Sequence, residues 1–204
     1  MNGSRVMPSA RIDPPTVTGI VLAGGESRRM GRDKAQLQWR GRPLLDHMRM
    51  LLLDAGCDQC LVSGTRPGFD HVPDRRACLG PLGGLESVIV TCPQLHDHLL
   101  VVVPVDMPLL TAGDLRQLWE TAIARRCAAA CFAGHALPAV LRNDARLPGV
   151  LRRRLARSGS VTGLLSDLGS LELPLPVNHT RFSNANTPAQ WRTLTDAGHR
   201  GANP

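Results

Sequence analysis

Along this chain, short runs of consecutive apolar residues alternate with longer stretches in which apolar residues return every three or four positions. The stretch "TVTGIVLAG" is apolar through residues 17–23 and closes on glycine, which predicts a buried β-strand. In "RPLLDHMRMLLLDAG", Leu44, Leu45, Met48, Leu51 and Leu52 fall on one helical face, with Pro43 suited to the first turn and Gly56 to the stop. "QCLVSG" predicts the next strand, and "GPLGGLESVIVTC" a glycine-rich turn leading into a helix from about Leu82. "HLLVVVPVDMPLL" holds five consecutive apolar residues, the pattern of a central strand covered on both faces. A helix follows over "TAGDLRQLWETAIARR", with Thr111 as N-cap and Asp114 as its third residue. "CAAACFAG" and "LPAVLR" predict two more strands, the second at a sheet edge. Helices over about 144–157 and 161–168, a short strand in "SLELPL" and a last helix in "NTPAQWRTLTDAG" complete the pattern, the last capped by Thr187 with Pro188 in its first turn.

Strands that alternate with helices, several of them continuously apolar, predict an α/β fold: a doubly wound, mostly parallel sheet with helices on both faces. A single domain is expected over residues 17–200. The preceding sixteen residues, "MNGSRVMPSARIDPPT", have no apolar core of signal-peptide length and read as a disordered leader, or as an upstream start before Met7. In sheets of this kind ligands bind beyond the carboxyl ends of the strands. Two chemically informative loops fall there, one after "IVLAG" and one, "VDMP", after "LLVVVP".

Composition narrows the classes of function. Aromatics make up 3% of the 204 residues and tyrosine is absent, so aliphatic side chains must fill the core, and a base-stacking single-strand binder is disfavoured. The formal charge of +7 is compatible with nucleic acid, an acidic surface or a small anionic substrate. Part of that charge is "RRR", Arg152 to Arg154, in a stretch where Leu147, Val150, Leu151 and Leu155 recur at helical spacing, which reads as a solvated helix face, with phosphate binding as the alternative. No segment approaches the roughly 18 apolar residues of a membrane span, and the expected compartment is the cytoplasm. Cys57 with Cys60 and Cys127 with Cys131 have the spacing of paired metal ligands, but both pairs border apolar strand-like runs, which predicts buried, reduced thiols.

The loop "AGGESRRMGRDK" concentrates glycine and positive charge. Gly24 and Gly25 directly after a strand allow a sharp turn that brings backbone N–H groups against an anion. Arg28 and Arg29 add forked donors and Lys34 a mobile point charge, a set suited to a polyphosphate; the alternative is an exposed basic connection. It is not a P-loop, because Gly25 and Gly31 are too far apart and Ala35 follows Lys34. The dinucleotide fingerprint fails too, since the helix starts only near Pro43. Asp106, at the end of the most apolar strand, invites either a divalent cation shared with phosphates or a helix-capping role, although Thr111 already fills the latter.

"LAGGESRRMGRDKAQL" resembles the L-A-x-G-x-S-x-R-M-G-x-x-K signature of nucleotidyltransferases that activate sugars and cofactors. Within that superfamily the chain resembles the molybdenum cofactor guanylyltransferases. "PDRRACLGPLGG", "VPVDMPLL" and "FSNANTPAQW" resemble three further stretches of that family in the same order, with Val105, Ala189 and Gln190 as departures. The resemblance implies a Rossmann-like nucleotidyltransferase fold and transfer of GMP from GTP to the terminal phosphate of molybdopterin, with release of pyrophosphate. It implies Mg²⁺ as cofactor, held at Asp106, and Lys34, Arg29 and Asp106 as catalytic residues. For the nucleotide it implies Leu22, Ala23, Gly24, Gly25, Arg28, Lys34, Asp74, the turn Gly80, Pro81, Leu82 and Gly83, and Asp106. Thr65 stands where the family often has asparagine. Asn184 and Asn186 match late asparagines that help place the second substrate, though Asn186 also neighbours the capping Thr187. The implied partners are the two substrates and molybdoenzyme assembly partners, with no nucleic acid and no membrane. Alternatives in the same superfamily are a molybdopterin cytidylyltransferase, disfavoured by the Gly24–Gly25 pair, and a sugar-phosphate nucleotidyltransferase. A non-catalytic nucleotide-binding adaptor is the alternative of another class.

Overall fold

The computed structural model describes residues 15–24, 33–157 and 159–200. Its elements run β1 (Val17–Leu22), β2 (Gln38–Trp39), β3 (Arg42–Pro43), α1 (Leu44–Asp54), β4 (Gln59–Ser63), β5 (His71–Val72) and α2 (Gly80–Thr91). Then come β6 (Leu99–Pro104), α3 (Ala112–Ala124), β7 (Ala129–Phe132), β8 (Ala139–Arg142), α4 (Leu147–Ala156), α5 (Val161–Leu168), β9 (Leu171–Leu173) and α6 (Pro188–Arg200). Among the described residues seven strands form one sheet in the order β5-β4-β1-β6-β8-β7-β9, and β2 and β3 form a small hairpin. The sheet is parallel except at β8, which runs against both β6 and β7.

The period of two along β6 explains why helices cover both faces. Leu99, Val101 and Val103 enter the core layer that holds Leu45, Met48 and Leu52 of α1 and Leu115 and Leu118 of α3. Leu100 and Val102 enter the other, with Leu82, Leu85 and Val88 of α2, Leu147 and Leu151 of α4, and Leu164 and Leu165 of α5. Strands with two apolar faces need two covering layers. Gly19 in β1 lets α1 approach closely, since a Cβ there would lie 2.9 Å from Leu52 Cβ. Chain order sets the functional end: β1 pairs with β4 on one side and β6 on the other, so successive crossovers diverge and leave a crevice beyond their carboxyl ends.

Several boundaries shift for local reasons. "LPAVLR", expected at an edge, forms β8 between β6 and β7, with Ala139, Val140 and Leu141 buried; two apolar faces suit an interior place better than an edge. Helix α2 starts at Gly80, before the expected Leu82, with Pro81 in its first turn. Helix α4 starts at Leu147, after Asp144, whose carboxylate accepts the N–H groups of Arg146 (2.9 Å) and Leu147 (3.3 Å). Strand β9 stops before Pro174, which has no N–H to give a ladder. His96 is exposed, but His98 is half-buried with Nδ1 2.9 Å from the Thr18 hydroxyl. Arg152 and Arg153 lie on the exposed face of α4, and Arg154 pairs with Asp167.

Burial also settles the thiol chemistry of one pair: it pushes Cys57 and Cys60 up to about 12, so both stay protonated at neutral pH and are poor ligands and nucleophiles. Cys131 is buried and Cys127 half-buried. No described helix is long and apolar enough to cross a membrane.

Thr111 and Asp114 form the expected capping box at α3, with Asp114 N–H donating to Thr111 Oγ1 (3.2 Å) and Thr111 N–H to Asp114 Oδ2 (3.0 Å). Arg181 adds an ion pair to the same carboxylate at 3.2 Å. Thr111→Ala should therefore cost about 1 kcal/mol, a fall in Tm of roughly 2–4 °C for a domain of this size. Thermal unfolding of the variant measures it, and an unchanged Tm would mean that the Arg181 pair alone secures the turn.

Candidate active site

The crevice beyond β1, β4 and β6 is a cleft of about 270 Å³. Its floor is the ends of β1 and β6, through Leu22, Ala23, Gly24, Pro104, Val105 and Asp106. One wall is Asp33, Lys34 and Ala35; the other is Ser63, Arg66, Asp74, Gly80, Pro81 and Gly84. Of the residues marked in the sequence, Leu22, Ala23, Gly24, Lys34, Asp74, Gly80, Pro81 and Asp106 thus converge on one space. Gly25, Arg28 and Arg29 lie outside the described residues. Thr65 is exposed and not part of the cleft lining, and Leu82 and Gly83 are buried within α2, behind the wall.

At the centre is Lys34. Its ammonium donates to Asp106 Oδ2 at 2.8 Å and to Asn186 Oδ1 at 2.6 Å, with only 16% of the lysine side chain and 14% of the aspartate side chain exposed. The aspartate at the strand end therefore has a counter-charge within the protein, and its burial alone does not demand a metal. Asp106 Oδ1 has no hydrogen-bond partner among the described residues.

The walls are tight because glycines stand where side chains would collide. A Cβ on Gly24 would lie 2.7 Å from Asp74 Oδ2, and one on Gly84 would lie 2.2 Å from Ser63 Oγ. Ser63 Oγ is 3.5 Å from Asp74 Oδ1. The start of α2, where Gly80 and Pro81 line the cleft, has no side-chain cap, and the positive end of the helix dipole there favours an anion. Ser63 and Arg66 escaped sequence reasoning, which had fixed on Thr65 between them. The available signal was parity: Ser63 ends β4 beside Leu22 of β1, so it shares the functional end of the sheet.

A second cavity of about 620 Å³ is lined by Asn186 together with Met107, His135, Phe182, Asn184 and Gln190, and Asn186 accepts from Lys34, which lines the first cleft. The segment carrying both asparagines is anchored by Ala185 N–H donating to the Asp106 carbonyl at 2.9 Å. Trp191 of α6 packs edge-on against Trp39 of β2, ring centres 5.7 Å apart. The last helix is thereby fixed against the segment that follows Lys34.

This sheet order, with a charged cleft at the reversal, defines a nucleotidyltransferase-like α/β fold. A solved Archaeoglobus fulgidus structure titled molybdopterin-guanine dinucleotide biosynthesis protein A shares it at 18% identity, covering 90% of this chain and 99% of that one, with a TM-score of 0.70. So does 2-C-methyl-D-erythritol 4-phosphate cytidylyltransferase from Thermus thermophilus, at 16% identity, 89% and 98% coverage and a TM-score of 0.63. The fold is thus common to enzymes of different base choice, and sequence is more particular. Residues 19–169 match the MobA-like NTP transferase domain. A molybdenum cofactor guanylyltransferase of Xanthomonas euvesicatoria is 44% identical over 181 residues, 87% of this chain and 93% of that protein. A probable molybdenum cofactor guanylyltransferase of Deinococcus radiodurans is 33% identical over 199 residues, covering 89% and 95%. The chain belongs to the MobA-like NTP transferase family.

His47 of α1 supports the Asp106 loop from behind: its Nε2 lies 3.0 Å from the Pro108 carbonyl, which can only accept, so Nε2 carries the proton. Burial lowers the pKa of His47; Arg40 and Arg42 act in the same direction, while the Pro108 bond and Asp46 oppose it. The unfolded chain takes up a proton near 6.5 that the native imidazole resists, so this contribution to stability is full above pH 6.5 and is lost as pH falls below it. Between pH 8 and pH 5, Tm should fall further for the wild type than for His47→Gln. Parallel pH profiles of the two proteins would contradict the assignment.

Proposed function

We propose that this protein transfers GMP from GTP to the terminal phosphate of molybdopterin, forming molybdopterin guanine dinucleotide and pyrophosphate. The observation that carries the reading is that Lys34 links residues of both cavities, Asp106 of the first and Asn186 of the second. A phosphoryl acceptor in one cavity and a nucleotide in the other would face each other across that lysine. The nucleotide takes the cleft of Leu22, Ala23, Gly24, Asp74 and the α2 N-terminus; molybdopterin takes the cavity of Asn184 and Asn186.

In the reaction an oxygen of the molybdopterin phosphate attacks the α-phosphorus of GTP, and the bond to the bridging oxygen of pyrophosphate breaks. Such a transfer needs alignment and charge stabilisation, and no protein nucleophile. Lys34, held by a carboxylate and an amide oxygen inside a partly dry cleft, supplies a fixed positive charge for the crowded phosphate oxygens. Asn186, which lines the second cavity, keeps that ammonium from turning away. The uncapped amides of α2 add partial positive charge from the opposite wall. In this reading the backbone N–H of Gly25 and the charges of Arg28 and Arg29, which lie outside the described residues, also serve to neutralise the polyphosphate.

Nucleotidyltransferases of this kind generally use a divalent metal, and the donors here suit Mg²⁺. Asp106 offers an oxygen that has no hydrogen bond among the described residues, beside the proposed phosphate site, and hard oxygen ligands with phosphate and water completing the shell are what Mg²⁺ prefers. Bound there, it would neutralise phosphate charge and polarise the phosphorus.

Melting the protein with Mg²⁺ and each of GTP, CTP, ATP and UTP tests the base choice. A nucleotide at about 100 times its Kd adds roughly 2.7 kcal/mol to the native state, so GTP should raise Tm visibly and the others should not. A preference for CTP would overturn guanine selectivity. Pyrophosphate release that requires molybdopterin tests the transfer itself, and binding without release would leave only an adaptor.

Lys34→Ala and Asp106→Asn should each lower kcat by on the order of 10²–10³-fold, with both proteins still folded by circular dichroism. Full turnover by either variant would remove that residue from the mechanism.

A further inference from the structure

Arg66 follows Thr65 but was not itself marked as a site residue in the sequence, yet three hydrogen bonds tie it into the cleft wall. Its Nη1 donates to Asp33 Oδ2 at 2.7 Å, and its Nη2 donates to Asp33 Oδ1 at 3.1 Å and to the Ala23 carbonyl at 2.7 Å. Ala23 is the residue just past β1, and Asp33 immediately precedes Lys34. One planar cation therefore clasps the chain on both sides of the stretch between Gly24 and Asp33.

The next link is Asp33. It caps the 3-10 turn Lys34–Gln36, its Oδ1 accepting the Ala35 N–H at 3.1 Å. Both oxygens of this carboxylate are gripped by the guanidinium while one also holds the turn, so the turn cannot rotate about Asp33 without breaking the fork. Lys34 is the first residue of that turn and must reach Asp106 and Asn186 from it. Arg66 commits three N–H groups to protein acceptors, and its Nε is buried without a partner among the described residues, so most of its donors are not offered to an incoming phosphate.

We infer that Arg66 is a positioning residue for the transfer reaction: through Asp33 it fixes the turn of Lys34 against the end of β1, so that the ammonium stands between Asp106 of one cavity and Asn186 of the other. Lysine could not substitute fully, because a single ammonium lacks the flat fork that meets both carboxylate oxygens and a carbonyl together. The inference rests on the guanylyltransferase reading, since it takes Lys34 as the group that meets phosphate.

The test is steady-state pyrophosphate release from GTP and molybdopterin by the wild type, Arg66→Ala, Arg66→Lys, Asp33→Asn, Lys34→Ala and the Arg66→Ala/Lys34→Ala double variant. A displaced catalytic group costs on the order of 10²-fold, so Arg66→Ala should lose roughly 10- to 100-fold in kcat while KM for GTP changes little. Arg66→Lys should recover part of it. Asp33→Asn keeps a capping oxygen but loses the charge that holds the fork, and should reproduce the loss even if Arg66→Ala does not fold. Because Arg66 acts through Lys34, the double variant should be no slower than Lys34→Ala alone. Unchanged kcat in both Arg66→Ala and Asp33→Asn, a loss confined to KM, or additive losses in the double variant would each overturn the inference while leaving the reaction assigned. An inactive wild type would take down the reaction and the inference together.

Discussion

The ammonium of Lys34 is the point on which the site depends, because three distant parts of the chain must be correctly placed for it to be held. Asp106 lies 72 positions away in sequence and Asn186 lies 152 away, yet both meet Nζ within 2.8 Å. A charge that is mostly shielded from water is stable only when its partners are fixed. The core therefore has to deliver the turn after β1, the end of β6 and the segment before α6 to one place. Each is locked independently: the turn by Asp33, the strand end by the sheet, and the late segment by the Ala185–Asp106 backbone bond and the Trp39–Trp191 contact.

The sheet supplies the rest of the geometry. Its crossovers diverge between β1 and β6, and the space they leave has walls of backbone, glycine and the start of α2. Close approach does what bulky side chains could not: Gly19 seats α1 against the sheet, and Gly24 and Gly84 leave room for Asp74 and Ser63. With α1 seated, His47 reaches the Pro108 carbonyl and Trp39 packs beside it, ring centres 6.1 Å apart. Packing on one face of the sheet thus bears on the orientation of Asp106 at its end.

The positive charge that first suggested an anionic partner divides by location. Lys34 and Arg66 lie in the cleft, with carboxylates as partners. Arg152 and Arg153 lie on the exposed face of α4. Total charge could not separate these groups, since it carries no position.

The alternation of apolar runs and helical faces was enough to indicate the class of fold, its six α-helices, all the strands except the two-residue β2, β3 and β5, and the strand ends that border the cleft, because hydrophobic period is a local property that burial reads directly and a two-residue strand has no period to read. Lys34 and Asp106 were legible from residue type and their place beside an apolar strand, and Asp74 only through its match to the family stretch; all three line the cleft. Tertiary structure alone decided that β8 sits inside the sheet, that Asp106 is paired with Lys34, that Asn186 joins them, and that Ser63 and Arg66, not Thr65, face the cleft. Those are facts of register and of pairing across 33 to 152 positions, and no local pattern records which distant partner a charged side chain will meet.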